Sequence, residues 1–268
     1  MSGNKLEKFF QPDPIEHNKD KQTGRIQLCE LVKQNDFGLD QPTFDVLKLI
    51  LEQYDYLSHV EIVFISPEEE PNTGGFFDRV RVDEQTFVPT IFIVSMDKKH
   101  LCRLKDVRRS SSTRVAEIPG ISFSRLSPNL LRQFIIAHEL GHASDYIRNY
   151  ETNPDYHGSD AAEKWDLHYE SNLLTMPVPG FDPVDLREEL SKFDNLEDFI
   201  KANPNLVKII NTSKIETKQD LINAQEAAYR ASVYESYADN FAAAFLKKNA
   251  VALNITELID SGRRREST

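Results

Sequence analysis

Cysteine is scarce in this chain. Of 268 residues only Cys29 and Cys102 are cysteines, too few for a disulfide framework, and neither belongs to a C-x-x-C pair. Long apolar runs are missing too. No stretch approaches the roughly 18–20 apolar residues that a membrane-spanning helix needs. The first ten residues, MSGNKLEKFF, lack the apolar core of a secretory signal. Positive charge is outnumbered, with 32 Lys and Arg against 43 Asp and Glu, a net charge of −11 and a pI near 5.2. That balance argues against nucleic acid or an anionic membrane as the partner. Internal repeats are absent. These absences predict a soluble cytoplasmic protein in a reducing compartment. A hydrophobic content of 40% adds ordinary globular material, one large domain or one domain with an insertion.

The stretch 127–150, SPNLLRQFIIAHELGHASDYIRNY, organises what is present. Ser127 suits an N-cap and Pro128 the first helical position, where its missing N–H costs nothing. Ile136, Leu140, Ala143 and Ile147 then form one apolar stripe at helical spacing. His138 and His142 fall on another face one turn apart, so both imidazoles point the same way. Two ligands of one tetrahedral Zn²⁺ need that arrangement, and Glu139 stands beside them to act as base toward a water on the metal.

A second stretch, 227–248, also reads as one helix, rich in Ala and free of Gly and Pro. Glu235 and Asp239 are four apart and share a face, along which Ala228, Ala231 and Ala242 would allow close approach to another backbone. Glu235 can complete a His₂Glu set with one position left open. Asp239 can accept the spare ring N–H of a ligating histidine, as an outer-shell partner that fixes its tautomer. The competing reading of both residues is an acidic solvated face.

HELGH followed by E-x-x-A-D-x-F-A resembles the gluzincin metallopeptidases, whose third zinc ligand is a glutamate. The segment from Glu235 to Ala242, ESYADNFA, is most similar to the ImmA/IrrE family of small soluble bacterial peptidases. The membrane-linked HtpX-type families carry a comparable E-x-x-A-D, but the lack of an apolar run disfavours them here. The match covers two helices, and the segment between them is longer than the ImmA/IrrE family usually has. The resemblance implies an α+β, zincin-like fold. In it a small mixed sheet packs on the active-site helix and on a C-terminal helix that brings the glutamate ligand. It also implies a hydrolase that cuts peptide bonds of a protein or peptide, with Zn²⁺ held by His138, His142 and Glu235 and with Glu139 as the catalytic base.

Read in order, residues 1–24 are weakly ordered, with Leu6, Phe9 and Phe10 as a small apolar knob. Residues 25–250 form the metallopeptidase domain and 251–268 a disordered tail ending near Arg263, Arg264 and Arg265. Helices are expected at 25–35 and 41–56, and strands at 60–65, 76–82 and 86–94. Pro89 suggests that the last strand lies at an edge or that Pro89 marks its start. The basic segment 98–120 is either a grip on an acidic substrate or a flexible solvated loop. Between the metal helices, 151–221 reads as a mostly helical insertion. Its pieces are a helix begun by Asp182 and Pro183, with Glu188 and Glu189 early in it, and short helices at 195–202 and 205–210.

His17, His59 and His100 read as surface residues. Tyr146, Tyr156, His157 and His168 are the candidates for stabilising an oxyanion. Two other functional classes stay open: a catalytically idle zincin-like sensor or binding module, and a zinc-stabilised structural domain with a fourth protein ligand such as His157.

Overall fold

The computed structural model describes residues 25–34, 39–70, 73–204 and 215–259. The N-terminal segment 1–24 with its apolar knob and His17, the helical piece expected at 205–210, and the arginines near the C-terminus lie outside these residues. The architecture is α+β.

Strand β1 (Ile26–Gln27) runs directly into α1 (Leu28–Gln34), and α2 (Gln41–Gln53) follows. Asp40 caps α2 by accepting from the Thr43 amide, and Pro42 occupies the first turn. A single 3₁₀ turn, Asp55–Leu57, leads to β2 (Glu61–Ile65). Strands β3 (Gly75–Arg81) and β4 (Phe87–Val94) form an antiparallel hairpin, and β4 also pairs in parallel with β2. The sheet is mixed and its order is β1-β2-β4-β3. Pro89 therefore sits in an interior strand, not at an edge. It pairs with Arg79 on β3 but precedes Thr90, where the β2 ladder begins, so its missing N–H removes no bond to β2. Among the described residues the edge strands are β1 and the longer β3.

Residues 98–117 are not a loop. Asp97 caps α3 (Lys98–Val107), and α4 (Arg109–Glu117) follows after Arg108. Leu101, Leu104, Val115 and Ala116 are buried at helical spacing beneath the charged residues. The charge run obscured that stripe.

Helix α5 (Pro128–Tyr146) is the axis of the molecule. Ser127 accepts from the Leu130 amide, as its sequence predicts. Every residue from Ile136 to Ser144 is buried, against β3 and β4 on one side and α2, α3 and α10 on others. A π-helical turn, Ile147–Glu151, continues it toward α6 (Asp160–Leu174). Then come α7 (Pro183–Ser191), capped by Asp182, and α8 (Leu196–Ala202), capped by Asn195. Glu188 and Glu189 lie in the second half of α7; the acid in its first turn is Asp185.

The expected helix over 227–248 is two helices. α9 (Lys218–Ala231) ends at Ser232, whose extended backbone (φ −60°, ψ 156°) starts α10 (Val233–Lys248). The Ser232 side chain accepts from the Glu235 amide, as its Ser-x-x-Glu spacing favours. Ala228 and Ala231 thus belong to another helix, and Ala231 is exposed. The small residues that meet α5 are Ala238 and Ala242, both fully buried.

The main core joins α1, α2, α5, α10 and the sheet. A second cluster, including Val178, Leu186, Phe199 and Leu221, holds the inserted helices together with α9, so the helical region runs past Leu221 to Ala231. Part of the expected tail is core as well: Leu253, Ile255 and Leu258 are buried, because three apolar side chains there outweigh the polar residues around them. Among the described residues no helix is long and apolar enough to cross a membrane.

Candidate metal centre

Two backbones have to come close before the predicted ligands can meet. Gly141 makes that possible: a Cβ there would lie 2.8 Å from Ala238 Cα and 3.1 Å from its carbonyl oxygen. With glycine inside the H-E-x-x-H turn and alanine opposite, α5 and α10 approach nearly backbone to backbone. His138 and His142 then face Glu235.

The three side chains converge through specific atoms. His138 Nε2 and His142 Nε2 are 3.1 Å apart. Glu235 places Oε2 3.4 Å from His138 Nε2 and Oε1 3.3 Å from His142 Nε2. All three residues are buried, and the group could hold a metal ion. Aromatic rings restrict both imidazoles. Tyr234 stacks on His142 with centroids 4.2 Å apart, and Phe134 lies against His138 at 6.2 Å.

Asp239 is 1% exposed, which rules out a solvated face, and its Oδ1 lies 3.0 Å from His138 Nδ1. With Nε2 turned toward the other candidate ligands, Nδ1 is the ring nitrogen left to face the carboxylate. The approach is an ion-pair contact, not a straight hydrogen bond. His142 Nδ1 is buried without a partner.

Arg230, at the end of α9, is the unexpected member. Its Nη1 donates to Glu235 Oε2 at 2.5 Å and stands 3.5 Å from His138 Nε2, while its Nη2 donates to Asp239. One guanidinium thus bridges the candidate ligand and the outer carboxylate. Burial disfavours the His138 cation, yet Glu235 and Asp239 outweigh it and raise that imidazole to about 10. Burial likewise raises the Glu235 carboxyl, but Arg230 and His138 overcome it and hold it well below the usual range. Glu139 goes the other way: burial dominates and raises it, against the pull of the two histidines.

These residues line a cleft of about 350 Å³ that opens beside β3. Gly75 lies directly over the base, where a Cβ would come 3.4 Å from Glu139 Cγ and 2.7 Å from the Phe92 carbonyl oxygen. Four tyrosine and histidine candidates do not reach this cleft. Tyr146 is 2% exposed and packs against Phe77 and Trp165, its phenol pushed up by burial to about 12. His168 is exposed and bonded to Tyr150 at 2.6 Å, in a second pocket that shares Trp165 and Tyr234 with the cleft. Tyr156 is half-buried and stacked on Tyr150, and His157 is exposed. The cleft is lined instead by Tyr169, Tyr229, Arg230 and Tyr234. Their nearness to Glu235 in sequence was the available signal for the last three. His59, paired with Glu151 at 3.0 Å, and His100, paired with Asp97 at 2.8 Å, lie at the surface as expected.

Comparison of this chain with protein-family models, with curated proteins and with solved structures finds no match.

Proposed function

We propose that this chain is a zinc-dependent metallopeptidase of zincin-like fold, a gluzincin of ImmA/IrrE-like type that cuts a protein or peptide substrate in the cytoplasm. The observation that carries the reading is the convergence of His138, His142 and Glu235 in a cleft, with Glu139 beside them. The fit to zinc is metrical. Bonds of about 2.0–2.1 Å in a tetrahedron put neighbouring ligand atoms about 3.3–3.4 Å apart; here the two Nε2 atoms are 3.1 Å apart, and each has a different Glu235 oxygen beside it, Oε2 at 3.4 Å from His138 and Oε1 at 3.3 Å from His142. Two nitrogens and one carboxylate oxygen suit that ion, and the three-residue set leaves a position open. Among the described residues no fourth histidine, cysteine or carboxylate joins the group, which favours a catalytic over a structural centre.

Zinc bound there would act as a Lewis acid on the scissile carbonyl and make water nucleophilic near neutral pH. Glu139 takes the proton from the attacking water and delivers it to the leaving amine nitrogen. Asp239 holds the His138 ring in place. The free edge of β3 next to Glu139 can take an extended peptide by strand addition. Arg230 and the cleft tyrosines supply the donors available to a developing oxyanion.

The test is a comparison of zinc-loaded wild-type protein with Glu139→Gln on a mixed peptide pool. The variant should keep its zinc and its fold and lose cleavage by about 10²–10⁴-fold. A Glu139→Gln protein that cleaves at the wild-type rate would refute the mechanism.

A further inference from the structure

Arg108 is the one basic residue of 98–120 that turns into the cleft. It lies at the junction of α3 and α4, with its side chain about one-fifth exposed. Its closest carboxylate, Glu226, is 3.9 Å from Nε, and Arg187 donates to the same Glu226 oxygen. Two guanidiniums therefore share one acid. The neighbouring Asp182 is engaged elsewhere, accepting from the Val184 and Asp185 amides as the cap of α7. Arg108 Nε is buried with no hydrogen-bond partner, and so is the hydroxyl oxygen of Ser111, one turn along the same cleft wall. Burial, together with Arg187 and Arg230, depresses the Arg108 guanidinium against the pull of Glu226 and Glu235.

We infer that Arg108 and Ser111 form a subsite of the cleft for a carboxylate of the substrate, either an Asp or Glu side chain or a free C-terminus. The inference rests on the peptidase reading for what enters the cleft. A carboxylate would satisfy the orphaned guanidinium N–H and the hydroxyl at once and would supply the missing negative charge. An apolar side chain would leave both buried donors unmet, and a neutral amide would accept from them without supplying the charge. Arg79, also in the cleft, has unpartnered Nε and Nη1 atoms too, but it is a weaker candidate because two acids already meet its charge, Asp166 at 2.6 Å and Asp78 at 3.5 Å from Nη2.

Trp165 is the single tryptophan of the chain and lines the cleft, so its emission reports occupancy. The test titrates zinc-loaded full-length Glu139→Gln protein with N-acetylated hexapeptide pools carrying Glu or Gln at each position in turn. Each pool is made with a free and with an amidated C-terminus. Charged pools should bind about tenfold or more tighter than neutral ones. That difference should vanish with Arg108→Gln and shrink severalfold with Ser111→Ala, at wild-type zinc content. A preference among amidated Glu pools identifies a side-chain carboxylate, and one confined to free-acid pools identifies the C-terminus. Equal binding of charged and neutral pools overturns the subsite, as does a preference that survives Arg108→Gln or is lost only with Arg79→Gln. Should Arg108→Gln fail to fold, Ser111→Ala decides: an unchanged preference there refutes the assignment. Cleavage of the same pools by wild-type protein separates the two claims. Carboxylate preference without turnover refutes the peptidase and leaves the subsite, whereas turnover without preference refutes the subsite alone.

Discussion

Gly141→Ala sets two effects of opposite sign against each other. Helix propensity alone says that the change stabilises α5, by about 1 kcal/mol. Packing says the reverse. The new methyl would sit 2.8 Å from Ala238 Cα, 3.1 Å from its oxygen and 3.3 Å from its Cβ, where carbon contacts prefer about 3.5–4.0 Å. Two of those three atoms are backbone, so no rotamer relieves the contact and α5 and α10 must part by several tenths of an ångström. Overpacking of that kind costs about 1–3 kcal/mol, so the net expectation is a loss of about 1 kcal/mol in urea unfolding of the metal-free protein. The larger consequence is at the metal. Glu235 is three residues from Ala238 and moves with it, whereas His138 and His142 flank Gly141 on the other helix. Zinc affinity by chelator competition should fall roughly tenfold or more, since ligands need placement to about half an ångström. Adding Ala238→Gly should restore only part of it, because Cα and the carbonyl oxygen remain. A Gly141→Ala protein that is more stable than wild type and binds zinc equally well would refute the close-approach argument.

Other perturbations address single residues. His138→Ala, His142→Ala and Glu235→Ala should each remove most of about one zinc per chain; full metal content in Glu235→Ala would refute the third ligand. Asp239→Asn should keep the fold and weaken zinc by roughly 10- to 100-fold, and unchanged affinity in a chelator titration would show that the 3.0 Å contact with His138 has no bearing on the metal. Stability of the metal-free protein should depend on pH through His138, whose pKa is about 10 when folded and about 6.5 when unfolded. That contribution is complete below about pH 6.5 and is lost as pH rises toward 10, at up to about 1.4 kcal/mol per unit. Thermal midpoints of chelated and zinc-loaded protein should diverge across that window; parallel curves would refute the coupling.

Legibility followed how local the physics was. The start of α5 was readable because Ser127 and Pro128 act within one turn of themselves, and the same holds for Asp182 at α7 and Asn195 at α8. The relation of His138 to His142 is a property of helix pitch and needs no tertiary knowledge. Asp239 comes within 3.0 Å of His138 because Glu235 carries it along one turn later. The oxyanion candidates failed for the opposite reason. Tyr146 was judged by helical phase alone, yet Phe77 and Trp165 cover that part of the face. Reading 227–248 as one helix gave too little weight to Ser232, whose Ser-x-x-Glu signature marks a start within an Ala-rich run that favours continuation. That break mattered, because it puts Arg230 on a different helix from Glu235 and lets it fold back onto it.

Arg230 also bears on why so acidic a centre can be buried. Glu139, Glu235 and Asp239 bring three carboxylates into one low-dielectric pocket; Arg230 pairs with two of them, and the partly exposed Arg114 lies 3.9 Å from Asp239 Oδ2. Burial of the negative charge that these arginines leave unmet would cost several kcal/mol. Protons can supply the balance, and the raised pKa values of His138 and Glu139 are the sign of it. A divalent cation held by His138, His142 and Glu235 would supply it more completely. The arginine would be no rival to such an ion, because it lowers the negative charge that the ion would have to meet.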